Sequence, residues 1–219
     1  MKDKRLKFEH YCFDMDGTLI DSYKTIYNAM ILTLDKQEIP HSINEVEFIN
    51  RIGQHFKDIF EAFNVKVNDF DSYLKLYKNI YMQQMNHSKL YPGVLEVLSE
   101  LKNNKKNISL LTTKAQDQAE KIVDYFGLKK YFDIVMGRQD GIAHKPSPEP
   151  LLKICNDLNI NIVDTLIIGD TELDIQCGKN AGSSTCAVTY GYRSKELLEN
   201  EQPNFIVDRF ENILSLDIK

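Results

Sequence analysis

Phe13-Asp14-Met15-Asp16-Gly17-Thr18-Leu19-Ile20 is the stretch on which the reading of this chain turns. The apolar run Tyr11 to Phe13 leading into it reads as a short buried strand. Asp14 then stands at that strand's C-terminal end, and Gly17 lets the backbone turn sharply away. Two carboxylates, Asp14 and Asp16, therefore emerge at the edge where a parallel α/β sheet binds its ligands, because loops rather than packed side chains line that crevice.

Working outward, Tyr23, Ile26, Tyr27, Met30, Ile31 and Leu34 follow the 3.6-residue period of a helix that ends before Pro40. Further helical faces run through Phe48 and Ile49, through Phe56, Ile59, Phe60 and Phe63, and through Tyr73, Leu76, Tyr77 and Ile80. No strand is expected between Ser22 and Lys89. From Tyr91-Pro92-Gly93 the pattern restarts, with Pro92 suited to the first turn of a helix whose apolar face is Val94, Leu95, Val97, Leu98 and Leu101. Strands are expected at Ile108 to Leu111, Asp133 to Met136, Thr165 to Gly169 and Thr185 to Val188, with an edge strand at Phe205 to Val207. Helices separate the first four, and one more is expected at the end. This alternation predicts a doubly wound parallel α/β sheet, residues 1–20 and 88–219, carrying an all-helical insertion over 21–87.

Composition sets the class. Of the 219 residues 42% are hydrophobic and 27% charged, an ordinary soluble balance, and no apolar run approaches the roughly 18 residues of a membrane-spanning helix. A net charge of -5 speaks against a general nucleic-acid binder. Cys12, Cys155, Cys177 and Cys186 make no Cys-x-x-Cys pair, which favours buried thiols over a zinc site or a disulfide framework. The basic start, Met1 to Lys7, runs straight into the first strand with no apolar leader, so a cytoplasmic protein is expected.

Polar residues collect where the strands end: Asp14 and Asp16, Thr112 to Lys114, the loop holding Lys145, and Asp170 with Asp174. Alone, Asp170 reads as a helix cap or turn former. Their convergence on one crevice carries more weight than any one of them.

Taken together, Asp14-x-Asp16-Gly17-Thr18, the strand ending in Thr112, Lys145-Pro146, and Gly169-Asp170-Thr171-Glu172-Leu173-Asp174 resemble the four ordered motifs of the haloacid dehalogenase superfamily, over essentially the whole chain. The helical insertion after the first motif resembles the phosphoglycolate phosphatase-like branch, whose core is Rossmann-like and whose insertion is a cap. The resemblance implies that Asp14 is a nucleophile forming an aspartyl-phosphate. Asp16 would protonate the leaving alcohol and then deprotonate the attacking water. Thr112 would donate to a phosphoryl oxygen, with backbone N–H groups near Gly17 and Thr113, and Lys145 would supply positive charge. It also implies a magnesium ion held by the carboxylates of Asp14 and Asp170 and the backbone carbonyl of Asp16. Asp174 would hold a metal-bound water or orient Lys145. Glu172 would either join that outer ring or remain a solvated charge, and the role of Lys114 stays open.

For the substrate, the resemblance points to the cap turn Arg51-Ile52-Gly53-Gln54-His55, where Arg51, Gly53 and Gln54 are candidate substrate contacts. Haloacid dehalogenases usually lack the second acid, so Asp16 speaks against carbon–halogen cleavage and also against phosphonate hydrolysis. β-Phosphoglucomutase-like sugar-phosphate mutases keep both acids but carry a lysine before the cap glycine and an arginine three residues after it; Ile52 and Phe56 stand there. The expectation is a magnesium-dependent phosphatase, cleaving a small phosphorylated metabolite, phosphoglycolate first. The mutase is the alternative, together with a pyrophosphatase or nucleotidase of the same superfamily. Neither nucleic acid nor membrane is an expected partner, and the chain is expected to be a monomer or homodimer.

Overall fold

A computed structural model describes residues 8–216; the basic lead-in at 1–7 lies outside them. In chain order the first elements are β1 (His10–Phe13), β2 (Ile20–Asp21), α1 (Tyr23–Lys36), α2 (Glu45–Ile49), α3 (Phe56–Ala62), α4 (Phe70–Gln83) and β3 (Lys89–Leu90). They are followed by α5 (Val94–Asn103), β4 (Asn107–Ala115), α6 (Gln116–Tyr125), β5 (Ile134–Arg138), α7 (Glu149–Leu158) and β6 (Thr165–Gly169). The last are α8 (Glu172–Ala181), β7 (Ser184–Val188), α9 (Lys195–Asn200) and β8 (Phe205–Val207). Where a last helix is expected, Phe210–Ser215 forms a 3-10 helix.

The chain divides into two compact units, one of Ile20–Lys89 and one of the residues up to Leu19 and from Leu90 on. In the larger unit six strands lie in the order β5-β4-β1-β6-β7-β8, every pair parallel. The chain leaves β1 for β4 and β5 on one side and returns to β6 on the other. The order therefore reverses at β1, and a crevice opens beyond its C-terminal end. Register makes this concrete: Phe13 is level with Leu110 on one side and Ile168 on the other. One step further, Asp14, Leu111 and Gly169 stand in a row across three strands.

Alternation along β1 sends its side chains into two layers. Cys12 joins Leu111, Met136 and Ile167 under Leu151 and Ile154 of α7 and Cys177 of α8. On the opposite face Phe13 packs against Phe210, ring centroids 5.5 Å apart. Burying each Leu or Ile side chain in this way stabilises the fold by about 2 kcal/mol. All four cysteines are buried and form no disulfide.

The smaller unit is built from α1 to α4, with α1 lying along α4. Its core is aromatic: Phe56 and Phe60 stack on each other and each meets Tyr73 edge to face, and Tyr73, Tyr77, Ile80, Tyr81 and Met85 are buried. Two local expectations are corrected. Lys89–Leu90 pairs with Ile20–Asp21 as a two-residue ribbon, so the insertion is not purely helical at its ends. Pro92 does not open α5; Gly93 caps it at φ 83, a left-handed conformation that glycine adopts without the usual Cβ clash. No helix of the described residues is long and apolar enough to cross a membrane.

Candidate active site

Asp14 leaves β1 with its N–H donating to the Ile168 carbonyl at 2.9 Å, which extends the β1–β6 ladder by one rung and fixes the direction of its side chain. Gly17 then turns at φ 83, and a Cβ there would collide with the Asp170 carboxylate, so glycine is required on two counts. Thr18 follows with its hydroxyl donating to Asp170 Oδ1 at 3.1 Å.

Lys145 enters from the loop before α7, and its three ammonium donors are all used. They reach Asp14 Oδ1 at 2.6 Å, Asp174 Oδ1 at 2.5 Å and the Leu111 carbonyl at 3.0 Å. Asp174 sits in the first turn of α8, where its other oxygen accepts from the Thr171 N–H at 3.1 Å and hydroxyl at 2.7 Å, closing a capping box. With both oxygens engaged by protein donors, Asp174 orients Lys145. Gly169 makes room for it, since a Cβ at that position would strike the Asp174 side chain.

One carboxylate oxygen from each of Asp14, Asp170 and Asp174 lies within 4.8 Å of the others, all three side chains buried. Electrostatics follow from that crowding. Burial pushes the Asp14 carboxyl up to about 7; Lys145 opposes the rise, while Asp174 and Asp16 add to it. Asp170 is held well above the usual carboxylate range by burial and then by Asp14 and Asp174, against the Tyr192 N–H and Arg193. For Lys145, burial favours the neutral amine, but Asp14 and Asp174 together overcome it and raise the ammonium above its ordinary value. Three buried acids thus share one buried lysine. With all three ionised the site carries an excess of two negative charges on hard oxygen donors, which fits a divalent cation of the magnesium type. Asp14 Oδ2 accepts no protein hydrogen bond among the described residues, and each Asp170 oxygen accepts only one.

Asp16 pairs with Lys114, Oδ2 to Nζ 3.2 Å, both side chains about nine-tenths covered, which places Lys114 at the site and not on an exposed helix start. Thr112 is buried beside them, its hydroxyl accepting from the Lys114 N–H at 3.3 Å, and Thr113 is half-buried. Glu172 is no solvated charge either: it accepts from Arg193 Nε at 2.8 Å and Nη2 at 3.2 Å. Arg51, Gly53 and Gln54 lie in the smaller unit, where Gly53 turns at φ 97 and Arg51 Nη1 reaches Gln54 Oε1 at 3.5 Å.

The loop after β7 was not among the candidates, yet it completes the surroundings of Asp170. The Tyr192 N–H donates to Asp170 Oδ2 at 2.8 Å, and Tyr190 Oη donates to the Thr18 carbonyl at 2.8 Å. Gly191 packs so closely that a Cβ would stand 2.5 Å from the Gly17 carbonyl oxygen. The available signal was positional: this loop is one more strand-end segment on the same sheet edge, with a glycine in it. Thr171 was legible as well, because Thr171-x-x-Asp174 is a capping-box spacing.

A Rossmann-like doubly wound sheet with paired acids after β1 and a lysine–aspartate clamp across the switch point defines a hydrolase of the haloacid dehalogenase class. The chain belongs to the haloacid dehalogenase-like hydrolase family, which it matches over residues 11–188. Among its relatives, a phosphoglycolate phosphatase of Aquifex aeolicus is 30% identical, the match covering 93% of this chain and 94% of that one. A pyrophosphatase PpaX of Bacillus cereus is also 30% identical, with the same coverage of 93% and 94%. The crystal structure of a predicted phosphatase from Clostridium acetobutylicum superposes with a TM-score of 0.81 at 29% identity, over 95% of this chain and 99% of that one.

Proposed function

We propose that the protein is a magnesium-dependent phosphatase that hydrolyses a small phosphomonoester through an aspartyl-phosphate on Asp14. The observation that carries this reading is the asymmetry of that side chain. Oδ1 is fixed by Lys145, while Oδ2 accepts from no protein donor among the described residues, beside a second acid two residues on. Oδ2 would attack phosphorus as the ester P–O bond breaks, and Asp16 would give its proton to the departing alkoxide oxygen. Asp16 would then take a proton from water, whose oxygen attacks phosphorus, releasing inorganic phosphate and restoring the Asp14 carboxylate. Lys145 keeps Asp14 aimed and offsets its charge, and Thr112, one residue beyond Leu111 on the neighbouring strand, would donate to a phosphoryl oxygen. Asp14, Asp170 and the Asp16 carbonyl would hold the magnesium, which would supply neutralising charge for the phosphoryl oxygens.

Phosphoglycolate is the leading substrate, and relatives named phosphoglycolate phosphatase and pyrophosphatase support this class. The test is a phosphomonoester panel, with pyrophosphate and both glucose phosphates, assayed with magnesium for phosphate release and for isomerisation. Phosphate release that Asp14→Asn abolishes supports the reading. Isomerisation without release would replace it with the mutase, and no turnover of any substrate would remove it.

A further inference from the structure

Arg138 ends β5 on the same sheet edge as the acids, and it has no acidic partner among the described residues. No hydrogen bond or ion pair engages its guanidinium among the described residues, although the side chain is half-buried. The lysines and the other arginine assigned to that edge are committed: Lys145 to Asp14 and Asp174, Lys114 to Asp16, Arg193 to Glu172. Burial lowers the Arg138 pKa from its ordinary value. A guanidinium nevertheless stays charged at any pH of interest, so the fold keeps a partly desolvated cation with no ion-pair partner among the described residues.

The surroundings are those of a ligand site. Arg138 lines a cleft of about 310 Å³ with Ala115, Gln139, Ile142 and His144; Asp140, the one acid there, is exposed and makes no ion pair with it. A narrower hollow shares Arg138, Gln139, Ile142 and His144 with that cleft and reaches Thr112 and Lys145. The shared lining residues place Arg138 between the cleft and the groups assigned to the phosphoryl site. Register gives the separation. Leu111, level with Asp14, pairs with Met136, and Arg138 lies two residues beyond it on β5. That is two strands across, about 10 Å, and two residues along, about 7 Å. A side chain as long as arginine covers much of such a gap, leaving room for a short spacer.

We propose that Arg138 is a specificity-determining residue that recognises a second anionic group, a carboxylate or a second phosphate, carried on a short spacer from the phosphoryl group bound at Asp14. This rests on the phosphatase reading and narrows its substrate class to doubly anionic phosphate compounds. A guanidinium suits either group because its planar donors pair bidentately with both.

A matched pair of substrates tests it: phosphoglycolate and 2-hydroxyethyl phosphate share a skeleton and differ in the carboxylate. In the full-length protein with magnesium, Arg138→Gln lowers the ratio of kcat/KM for phosphoglycolate to that for 2-hydroxyethyl phosphate by about tenfold or more, the loss of a charge-assisted contact. Arg138→Lys recovers part of the ratio. The corresponding ratio of pyrophosphate to 2-hydroxyethyl phosphate, measured alongside, shows which anion is read. A ratio that stays within twofold of wild type for both anions overturns the proposal while leaving the phosphatase reading intact. If the wild-type protein turns over neither member of the pair, calorimetric titration with phosphoglycolate decides: tenfold weaker binding to Arg138→Gln supports the subsite, and equal or absent binding overturns it. Thermal midpoints of the variants confirm that this half-buried position has been changed without unfolding.

Discussion

Nζ of Lys145 lies 2.6 Å from Oδ1 of Asp14, so residues from the first strand and from the loop before α7 meet in a pocket that excludes water from the lysine. The same ammonium holds Asp174. Removing one partner of a buried ion pair leaves the others uncompensated, at a cost of about 3–5 kcal/mol. Lys145→Met is therefore expected to lower the free energy of urea unfolding of the metal-free protein at pH 7 by an amount of that size, seen as a lower midpoint, as well as to abolish hydrolysis. A midpoint equal to that of wild type would show that the lysine does not hold the acids together.

Asp14→Asn has the opposite expected effect on stability. The carboxyl titrates near 3.8 when unfolded and is pushed up to about 7 by burial in the fold, so between those values only the unfolded chain releases its proton. The stabilising contribution is complete below 3.8 and is lost as pH rises through about 7. The full shift corresponds to roughly 4 kcal/mol, partly offset in the variant by the weaker bond to Lys145. Metal-free Asp14→Asn should resist urea better than wild type at pH 8 and lose that advantage at pH 4. An advantage that did not change with pH would contradict this account.

A divalent cation bound among these acids would relieve the same charge. Magnesium at about 100 times its dissociation constant should stabilise the protein by about 2.7 kcal/mol, read as a higher thermal midpoint. Asp170→Asn should remove most of that rise, because Asp170 is buried among the acids with both oxygens steered by Thr18 and Tyr192. Chelation should stop hydrolysis and return the midpoint to its starting value. A midpoint indifferent to magnesium in wild type would argue against the metal site.

What was legible in the chain depended on how locally each feature is encoded. Asp14 and Asp170 end short apolar runs, and a strand followed by an acid needs only a few residues to be seen. The partners of those acids are another matter. Lys114 meets Asp16, and Tyr192 meets Asp170, only because β4 and β7 take their particular places beside β1 and β6. No period or propensity in a single sequence encodes that alignment. The ribbon at Lys89–Leu90 is too short to have a period, and at Pro92-Gly93 the proline rule yielded to a glycine in a left-handed conformation. Lys145 and Asp174 were placed by resemblance, and their clamp rests on long-range contacts that spacing alone does not reveal.

Gly191 tests the part of the site that the sequence concealed. A methyl group there would meet the Gly17 carbonyl and the Asp170 side chain, with no conformational penalty of its own to confuse the result. Gly191→Ala should cost about 1–3 kcal/mol through overpacking and should weaken magnesium binding by displacing Asp170. Loss of stability with unchanged magnesium affinity would mean that the loop supports the fold without shaping the metal site.

His10 offers a pH dependence of opposite sign to that of Asp14, at the far end of the same strand. It is fully buried between Ser109 and Thr165, with Nε2 2.7 Å from Ser109 Oγ and Nδ1 3.1 Å from Thr165 Oγ1. Burial lowers its pKa from 6.5 to about 4, against a smaller pull from Asp133. Above 6.5 the imidazole is neutral in both states and its contribution is fully present. As pH falls below 6.5 the unfolded chain takes up a proton that the folded one refuses, and stability is lost until about pH 4, by about 3 kcal/mol in all. His10→Gln keeps polar groups near both hydroxyls and removes the titration. The difference in urea midpoint between wild type and His10→Gln, measured with magnesium saturating so that the Asp14 site is held constant, should shrink in favour of the variant from pH 7.5 to pH 4.5. A difference independent of pH over that range would show that His10 does not carry the acid sensitivity of the fold.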